Sequence, residues 1–584
     1  MTIKARLRRA LRRRWARFAR TPFGCLFRLF VGRMFHGGDS SSSGDLDVGV
    51  GATLLLMAMP GLMVSLLTFE KYGHLILYLR GVRIFNPFTA TVPDEYFFIV
   101  LSLAVSGAAA LWRWDSLFPD RRDFTNLVLL PITLRTIFLA NLCAILFQTA
   151  LFTFVANAAS VVLFPIAVVG SQGSLSVFLR FAVGHFVGVL AASIFSCFAV
   201  FALTGLLMAL LPAAAFRRIS HLVRFLLAVG LFALLASSFA VPQLLSEMSI
   251  PAAHKLALLP PYSFLGVTRT IWGSAGDPFI PEMRRAAIAA LVLALFIAVV
   301  AYAASFRRSF QRIPETPDSG PLPRSRVSLS PLAPVLDLVL RTPPQRACYQ
   351  FAARTLLRSE RHLQILLGFL ALGLVLAVNA LTSAPDLHSL TTGKLPSVDV
   401  LSVPFILSFC LVAGVRFALE VPSLLPANWV FRVWLDRDRR DARITARLVL
   451  LVFSLSWLLP LCFFVTLAFW GWLVAFLHTF VVAVSNVALA ELSLLRFRKL
   501  PFACSYPPFK SHSGLVVVAY LFGFILFTGT LVELERWSLQ DPWRTLFFIP
   551  LSTAALAGVY FYRKQMLDMD KQLVFDELPA SGFW

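Results

Sequence analysis

Long apolar runs constrain this chain more than any other feature. Twelve stretches of about 20 residues are apolar enough to cross a bilayer as helices, with polar loops between them. Hydrophobic residues make up 58% of the 584 residues, and only 14% are charged. A soluble protein has no core large enough to hide that much apolar surface. The sequence therefore predicts an all-α polytopic membrane protein.

The predicted spans form two groups of six, and a very short turn around Phe469–Gly471 separates the ninth from the tenth. They are expected at 48–69, 96–112, 137–165, 181–211, 223–246, 285–305, 363–383, 398–418, 447–468, 471–493, 513–533 and 543–562. Because six is an even number, both halves should cross the membrane in the same direction. We therefore expect a parallel two-fold repeat, with any transport pathway between the halves.

The distribution of basic residues predicts the orientation. Of the 53 Lys and Arg residues, 42 lie on the side that holds both termini and 11 on the other side. Cytoplasmic loops of membrane proteins carry such an excess. We therefore expect a multi-pass protein of the bacterial cytoplasmic membrane with both termini in the cytoplasm. The excess of basic residues, which gives the net charge of +23, then faces anionic lipid headgroups. Nucleic acid is therefore not expected as a partner.

The predicted domains follow from the spans and the polar segments between them. They are a basic interfacial helix with a Gly/Ser linker at 1–47, a first six-span half at 48–305, a Pro/Arg-rich cytoplasmic linker at 306–346, a second six-span half at 347–562 and a cytoplasmic tail at 563–584. The leading helix is amphipathic, with eleven Lys or Arg residues within 1–47. Its apolar face comprises Leu7, Leu11, Trp15, Phe18, Phe23, Leu26, Phe27, Phe30 and Met34. Such a face suits the inner leaflet.

Two charged segments stand out on the predicted cytoplasmic side, one in each half. They lie at 115–135 and 420–443, about 305 residues apart, and each combines a mixed-charge rim with apolar side chains. An exposed apolar face surrounded by charge fits a socket on a partner protein. We name them the docking segments. Their candidate contact residues are Asp120, Arg121, Arg122, Asp123, Phe124, Leu127, Leu130 and Pro131 in the first and Asn428, Trp429, Arg432 and Trp434 in the second.

Two strings in the first half resemble the permease subunits of type-2 ABC exporters. LLPITLRTIFLAN (129–141) is similar to their first coupling loop, and ALLPPYSFLGVTRTIW (257–272) resembles their Pro-rich outer re-entrant segment. The matching positions of that segment are Pro260, Pro261, Phe264 and Gly266. Asn141 stands where Lys is commoner, the usual permease has a single six-span unit, and the second half lacks both strings. The resemblance implies a transport subunit moved by alternating access, with separate ATPase subunits on its coupling loops.

No nucleotide-binding or metal-binding motif occurs in the chain. The nearest string to a phosphate-binding loop, TTGKLP (391–396), has Leu395 where Ser or Thr should bind the Mg²⁺ ion. The seven Cys form no CxxC pair. We therefore expect a non-enzymatic chain that binds no cofactor or metal itself, with ATP and Mg²⁺ held by the partner ATPase. Membrane lipid is the other expected partner, and a homo-oligomer stays open.

Two alternative functions stay open. A secondary, ion-coupled transporter needs a buried carboxylate or His in its pathway, and candidates for that role inside the membrane are sparse: His185, His478 and Glu491, the last close to the predicted cytoplasmic end of its span. We expect GHFVG (184–188) to form a helix contact through its two glycines, which have the small-xxx-small spacing, and His185 to form an interhelical hydrogen bond there. A polyprenyl-donor membrane glycosyltransferase would use an acidic pair such as Asp94–Glu95, which we expect instead to be hydrated at a span boundary.

Overall fold

The computed structural model describes residues 20–35, 57–73, 91–112, 114, 130–170, 174–248, 250–273, 279–312, 340, 342–382, 396–421, 440–495, 497, 501–502 and 513–568. Within these ranges the chain forms helices joined by turns, with no strand. Eleven helices there are long and apolar enough to cross a membrane. The protein is therefore an all-helical, multi-pass membrane protein, as the apolar runs predict. The eleven correspond to the second to twelfth predicted spans, and the first is described only from residue 57.

The chain divides into two compact units, which are described separately. Unit 1 comprises residues 1–320 and unit 2 residues 321–584, so the boundary falls inside the range 306–346. Unit 1 contains five of the eleven spans and unit 2 contains six. The helix over 57–73 occupies the place of the remaining predicted span in unit 1.

The described residues of unit 1 form long spans and several shorter helices. In chain order these are α1 (Pro22–Phe35), α2 (57–73), α3 (Val92–Trp112), α4 (Leu134–Val169), α5 (Leu175–Leu210), α6 (Ala213–Ala236), α7 (Ala240–Glu247), α8 (Ile250–Ala257), α9 (Pro260–Trp272) and α10 (Ile280–Arg312). Helix α3 is the most enclosed span, because α4, α5, α6 and α9 all pack against it. Small residues permit this close packing: Gly107 lies against Ser196 of α5 and Leu231 of α6.

The fifth predicted span, 223–246, is wrong at its end. Helix α6 stops at Ala236, and the chain turns through Ser237–Phe239 before α7 begins at Ala240. Pro242 explains the break, since its ring would clash with the Ser238 carbonyl of a continuous helix and it has no N–H to donate. In the first turn of a new helix the same proline is tolerated.

The described residues of unit 2 form one amphipathic helix followed by six spans. These are α11 (Pro343–Arg358), α12 (Glu360–Thr382), α13 (Val398–Glu420), α14 (Arg440–Trp470), α15 (Trp472–Ser493), α16 (Ser513–Leu539) and α17 (Pro542–Asp568). Helix α13 is the most enclosed span, as α3 is in unit 1, with α12, α14, α15 and α16 against it. The short turn between α14 and α15 is confirmed at Gly471, whose φ of 85° requires glycine.

Helix α11 is a feature that the span pattern did not predict. A capping box starts it: Gln345 N donates to Thr342 Oγ1 and Thr342 N to Gln345 Oε1, each at 3.4 Å. Tyr349, Ala352 and Leu356 form its buried face. They belong to one core cluster with residues of α12, α13 and α14. Burying an apolar stripe stabilises a helix that is too short and too polar to span a membrane.

Candidate functional site

Most of the predicted docking residues lie outside the described part of the chain. This applies to Asp120, Arg121, Arg122, Asp123, Phe124, Leu127, Asn428, Trp429, Arg432 and Trp434. The structure does describe the helix that precedes each docking segment and the helix that follows it. The geometry of those flanking residues shows what each segment is attached to.

Trp114 holds the start of the first docking segment. Its side chain is fully buried, in a core cluster with residues of α3, α4, α5 and α10. The Arg224 guanidinium of α6 lies over its indole ring, 5.3 Å from the ring centroid. A buried cation against the face of Trp is a favourable contact. The segment therefore leaves the bundle from a point fixed against several helices.

Leu130 and Pro131 stand at the end of the first docking segment, and both are exposed. Leu130 keeps 47% of its accessible surface although it is fully apolar. Helix α4 begins three residues after Pro131, and its 36 residues run without a break for about 54 Å. Any displacement of Leu130 and Pro131 therefore acts on the end of one long membrane helix.

Helix α1 packs on this same end of α4. Leu26 and Phe30 are buried against Ile137, Ala140 and Ala144 in a single cluster. Leu29, one residue from the buried face, is exposed. The apolar side of the helix is therefore shared between α4 and the predicted lipid surface, whereas the amphipathic pattern alone assigned it to lipid. Residues 1–19, which carry the first part of that pattern, lie outside the described residues.

His362 holds the start of the second docking segment. Its ring Nε2 is 2.8 Å from the backbone oxygen of Val421, the second residue of the segment and the last one described before residue 440. Its Nδ1 is 2.6 Å from the Ser359 hydroxyl, and Phe502 lies edge-on against the ring. This histidine sits at the start of α12, next to the joint with α11. The second segment therefore also leaves its bundle from a buried, hydrogen-bonded point.

The two docking segments are flanked by equivalent helices in their respective units. Each follows the most enclosed span, α3 or α13, and precedes a long helix, α4 or α14. In each unit an amphipathic helix packs on that long helix: α1 on α4, and α11 on α14. The second half lacks the LLPI string, yet it repeats this arrangement.

The predicted outer segment with Pro260, Pro261, Phe264 and Gly266 forms helix α9. With thirteen residues it is too short to span a bilayer, and it packs against α3, α5 and α10. The two prolines occupy its first two positions, where no N–H is needed. Phe264 is fully buried, and Gly266 lies against the backbone of Arg284 in α10.

Helix α9 also contacts α5 through small residues. Gly184 and Gly188 of the GHFVG string face Thr268, so a Cβ at either position would collide with it. The predicted hydrogen bond of His185 is confirmed: its Nε2 lies 3.1 Å from the Ser160 hydroxyl of α4. On one face of α5 the two glycines therefore pack against α9, and on another face His185 forms a hydrogen bond to α4.

The expectation that Asp94 and Glu95 are hydrated is wrong, because both are buried. Asp94 Oδ2 accepts hydrogen bonds from Lys71 Nζ at 2.8 Å and from the Tyr72 hydroxyl at 2.6 Å. Glu95 Oε2 lies 3.4 Å from Arg269 Nε of α9. Each carboxylate thus has a cation contributed by a different helix. They join α2, α3 and α9 at one end of unit 1.

Two tyrosines complete this end of unit 1. The rings of Tyr96 and Tyr262 lie 5.1 Å apart between α3 and α9. Burial raises the pKa of the Tyr262 hydroxyl above its usual range, so it stays protonated at neutral pH. Acid–base chemistry needs a carboxylate that can reach a substrate. Asp94 and Glu95 are already paired with Lys71 and Arg269, which indicates a structural role for both carboxylates. This geometry therefore does not support the glycosyltransferase alternative.

A row of polar side chains crosses the interior of unit 1 from α3 to α4. Ser102 Oγ donates to Asn157 Oδ1 at 3.1 Å, and Ser106 lies 3.5 Å from Thr153 Oγ1. Thr149 Oγ1 lies 3.2 Å from Cys197 Sγ of α5. Hydrogen bonds between membrane helices stabilise their packing by about 0.6 kcal/mol each. The row therefore sets the register of α3, α4 and α5.

Glu535 is a buried ionisable residue that the sequence analysis missed. The predicted eleventh span ended at 533, whereas helix α16 continues to Leu539 and buries Glu535 completely. His478 Nδ1 of α15 lies 2.7 Å from its Oε1. The signal that could have found it is the apolar spacing of Leu531, Val532 and Leu539, which lie four and three residues before Glu535 and four after it and so extend the helix beyond the apolar window.

The interiors of the two units repeat one arrangement. In unit 1 Phe98 of α3 lies edge-on against His185, with ring centroids 5.3 Å apart. In unit 2 Phe405 of α13 lies edge-on against His478 at 6.0 Å. Ser102 and Ser408 follow these phenylalanines by about one turn and are each hydrogen-bonded to an Asn side chain, although Asn157 lies on α4 and Asn486 on α15, the helix that carries His478. The partners of the two histidines differ, since His185 has a serine hydroxyl and His478 a carboxylate.

No group of three or more His, Cys, Asp or Glu side chains within the described ranges could hold a metal ion. Comparison with known proteins finds no matching family model, no matching curated protein and no matching solved structure.

Proposed function

We propose that this chain is the membrane-spanning permease of an ATP-driven exporter of the ABC type. In this proposal separate ATPase subunits dock on the two docking segments and supply the energy. The chain lies in the bacterial cytoplasmic membrane with both termini in the cytoplasm. The observation that supports the proposal is the equivalent set of helices that flanks the docking segment in each unit. Two equivalent docking segments would allow two ATPase subunits to bind in the same way.

The flanking geometry supplies a route for mechanical coupling. Leu130 and Pro131 are exposed where a partner can reach them, and they lead directly into α4. The start of the same segment is fixed at Trp114, against α6. A force on Leu130 and Pro131 is therefore transmitted to α4, while Trp114 fixes the other end of the docking segment. Helix α4 meets α3 and α5 through the polar row, so the three helices move together in this mechanism.

Alternating access then needs only a modest bias from the partner. A ligand shifts a two-state protein by the difference in its binding free energy to the two states. A contact of a few kcal/mol on each docking segment is enough to reverse a population of the order of 1:99. ATP binding and hydrolysis on the partner subunits would supply that difference in each cycle.

The proposed substrate is apolar or amphipathic, such as a lipid, an amphipathic peptide or a drug. The chain contains 55 Phe residues, and its spans carry few charges. The interior polar groups described above are already hydrogen-bonded to one another. A wall of this kind offers area for apolar contact and few partners for a strongly polar cargo.

Co-purification tests the docking role. The full chain is expressed with the Walker-motif ATPase encoded nearest to it and purified in mild detergent. We expect the ATPase to co-purify, and Leu130→Asp to reduce the retained ATPase by about tenfold, the effect of losing one central apolar contact. Vesicles containing both proteins should move cargo only when ATP is present.

Leu175→Asp is the matched control. Leu175 is exposed like Leu130, at 73% against 47%, but it starts α5, at the end of the spans predicted to face outwards. This variant should retain the ATPase at the wild-type level. Equal retention by both variants, or cargo movement without nucleotide, would refute the proposal.

An ion-coupled carrier is the second candidate, and the pair His478–Glu535 is the observation that favours it. A buried carboxylate next to a histidine is the kind of site that coupling ions use. If the pair carries a coupling proton, Glu535→Gln should abolish transport and dissipating the proton gradient should stop it. Glu533→Gln is the control, because Glu533 is exposed two residues away.

For the ATP-driven exporter we expect the opposite result. Transport should survive dissipation of the gradient as long as ATP is supplied. Folded Glu535→Gln protein, verified by size-exclusion chromatography, should keep its ATP-dependent transport. Loss of transport in that folded variant, with normal transport in Glu533→Gln, would favour the carrier.

A further inference from the structure

A cavity opens at one end of unit 2, between the start of α13 and the end of α16, two helices that pack against each other. Its volume is about 460 Å³, within the range of about 300–1,000 Å³ that holds small molecules in proteins. Asp399 of α13 and Arg536 of α16 both line it, and so does Gln540, just after α16. Two side chains of opposite charge therefore face one space of ligand size.

These two charges do not hold the helices together. Within the described ranges, neither the Asp399 carboxylate nor the Arg536 guanidinium takes part in an ion pair, with the other or with a third residue. Gln540 Oε1 accepts a hydrogen bond from Arg544 Nη1 at 2.8 Å, which leaves the amide N–H groups of Gln540 as donors. The α16 end of the cavity therefore offers hydrogen-bond donors, and the α13 end offers a carboxylate acceptor.

The cavity lies where two spans meet the membrane surface. The span of α13 begins at Val398, and the span of α16 ends at Leu539. Trp537 and Trp543 are exposed near that end, and aromatic residues concentrate where headgroups meet the acyl chains. The distribution of Lys and Arg predicts that this end faces outwards. A ligand therefore reaches the cavity from the outer headgroup layer or from the outside solution.

We propose that this cavity binds a zwitterionic phosphate ester with a primary ammonium group, the chemistry of phosphoethanolamine. Arg536 and Gln540 donate hydrogen bonds to the phosphate, because a guanidinium group fits phosphate oxygens and the cavity lies at the level of the headgroups. Asp399 accepts hydrogen bonds from the ammonium group. A simple anion would instead leave the Asp399 carboxylate facing a like charge. The inference holds whether or not the chain works with an ATPase.

Titration of the full chain in detergent tests the proposal. The purified protein is titrated with phosphatidylethanolamine or with phosphatidylglycerol, whose headgroup has the phosphate but no ammonium, and bound lipid is counted by native mass spectrometry. We expect phosphatidylethanolamine to bind more tightly. Asp399→Asn and Arg536→Gln should each weaken that binding by about tenfold, the effect of losing one charge-assisted hydrogen bond. Asp399→Asn should also lose the preference over phosphatidylglycerol, and Arg536→Lys, which keeps the charge, should bind more tightly than Arg536→Gln.

Asp541→Asn is the matched control, because it removes a carboxylate from the same end of unit 2 and keeps an oxygen that can accept from Trp543 N, now at 3.2 Å. It should bind phosphatidylethanolamine like the wild type, and size-exclusion chromatography verifies that each variant is folded. Free phosphoethanolamine identifies the source of the ligand. Displacement of the lipid by an equal concentration of it indicates a soluble ligand, and no displacement indicates a lipid headgroup. Both results support the proposed chemistry.

Three outcomes would overturn the proposal. The first is binding of phosphatidylglycerol to the wild type as tightly as phosphatidylethanolamine, which would mean that the ammonium group is not recognised. The second is unchanged binding of phosphatidylethanolamine in folded Asp399→Asn and Arg536→Gln protein. The third is an equal loss of binding in Asp541→Asn and Asp399→Asn, which would assign the effect to the general charge of this end and not to the cavity.

Discussion

Single residues determine how closely the helices of unit 1 approach. Gly184, Gly188 and Gly266 lie at contacts where a Cβ would meet the neighbouring helix. Only the first two were assigned to helix packing from the sequence, because their four-residue spacing is a recognised contact pattern. Gly266 has no such partner in the sequence, so its packing against α10 could not be predicted.

Gly266→Ala should destabilise the protein. The new Cβ would lie 2.6 Å from the backbone nitrogen of Arg284, and backbone in a packed helix cannot move aside. We expect a loss of about 1–3 kcal/mol, measured by thermal unfolding in detergent. Gly230→Ala is the control, because a Cβ there has nothing within 4 Å. An equally stable Gly266→Ala protein would contradict this packing of α9.

Burial of charged residues was the part of the site that sequence reasoning predicted least well. Asp94 and Glu95 begin an apolar span, which locally indicates a hydrated boundary. Their burial depends on Lys71 and Arg269, residues 23 and 174 positions away from their partners. Glu535 was missed because hydropathy ends a span at the first acidic residue, Glu533, although the helix continues. Long-range pairing of this kind leaves no local signal in a single sequence.

At the scale of elements, the helices that lie beside the spans are as informative as the spans. Apolar length predicted the spans well, since crossing a bilayer requires about 20 apolar residues. It gave no indication of α11, whose sequence is polar on average, and it missed the break before α7. Both α1 and α11 pack on the long helix that follows a docking segment, so the second half repeats the first in structure more closely than in residues.

Phe30→Ala should release α1 from α4. Phe30 is one of two large side chains that α1 buries, and truncating a buried Phe costs about 3–5 kcal/mol. The rate of trypsin cleavage after Arg28 depends on the fraction of molecules in which α1 is released from α4. That rate should therefore rise by about a hundredfold in the variant. Leu29→Ala removes an exposed side chain from the same turn and should leave the cleavage rate unchanged. Similar rates for both variants would show that α1 is not held by this contact.

For the whole molecule, the distribution of Lys and Arg predicts the orientation of the chain across the membrane, which the fold alone does not determine. An all-helical bundle fits a membrane equally well either way up. The excess of Lys and Arg at one end breaks that symmetry. Both docking segments belong to the loops that this distribution predicts to be cytoplasmic.

Cysteine labelling in intact cells tests the orientation. Ser274→Cys lies in the segment after α9 that we predict to be outside, and a membrane-impermeant maleimide should label it. Ser325→Cys lies in the predicted cytoplasmic linker and should react only after the cells are opened. The native Cys25, exposed on α1, should behave like Ser325→Cys. Labelling of Cys25 in intact cells would reverse the predicted direction.

The different partners of His185 and His478 have a consequence for how the two units can diverge over generations. In unit 1 the histidine shares a hydrogen bond with the hydroxyl of Ser160, so a neutral replacement leaves no charge behind. In unit 2 the same replacement would strand the Glu535 carboxylate among apolar side chains. Mutational drift at this position is therefore tolerated in one copy and constrained in the other.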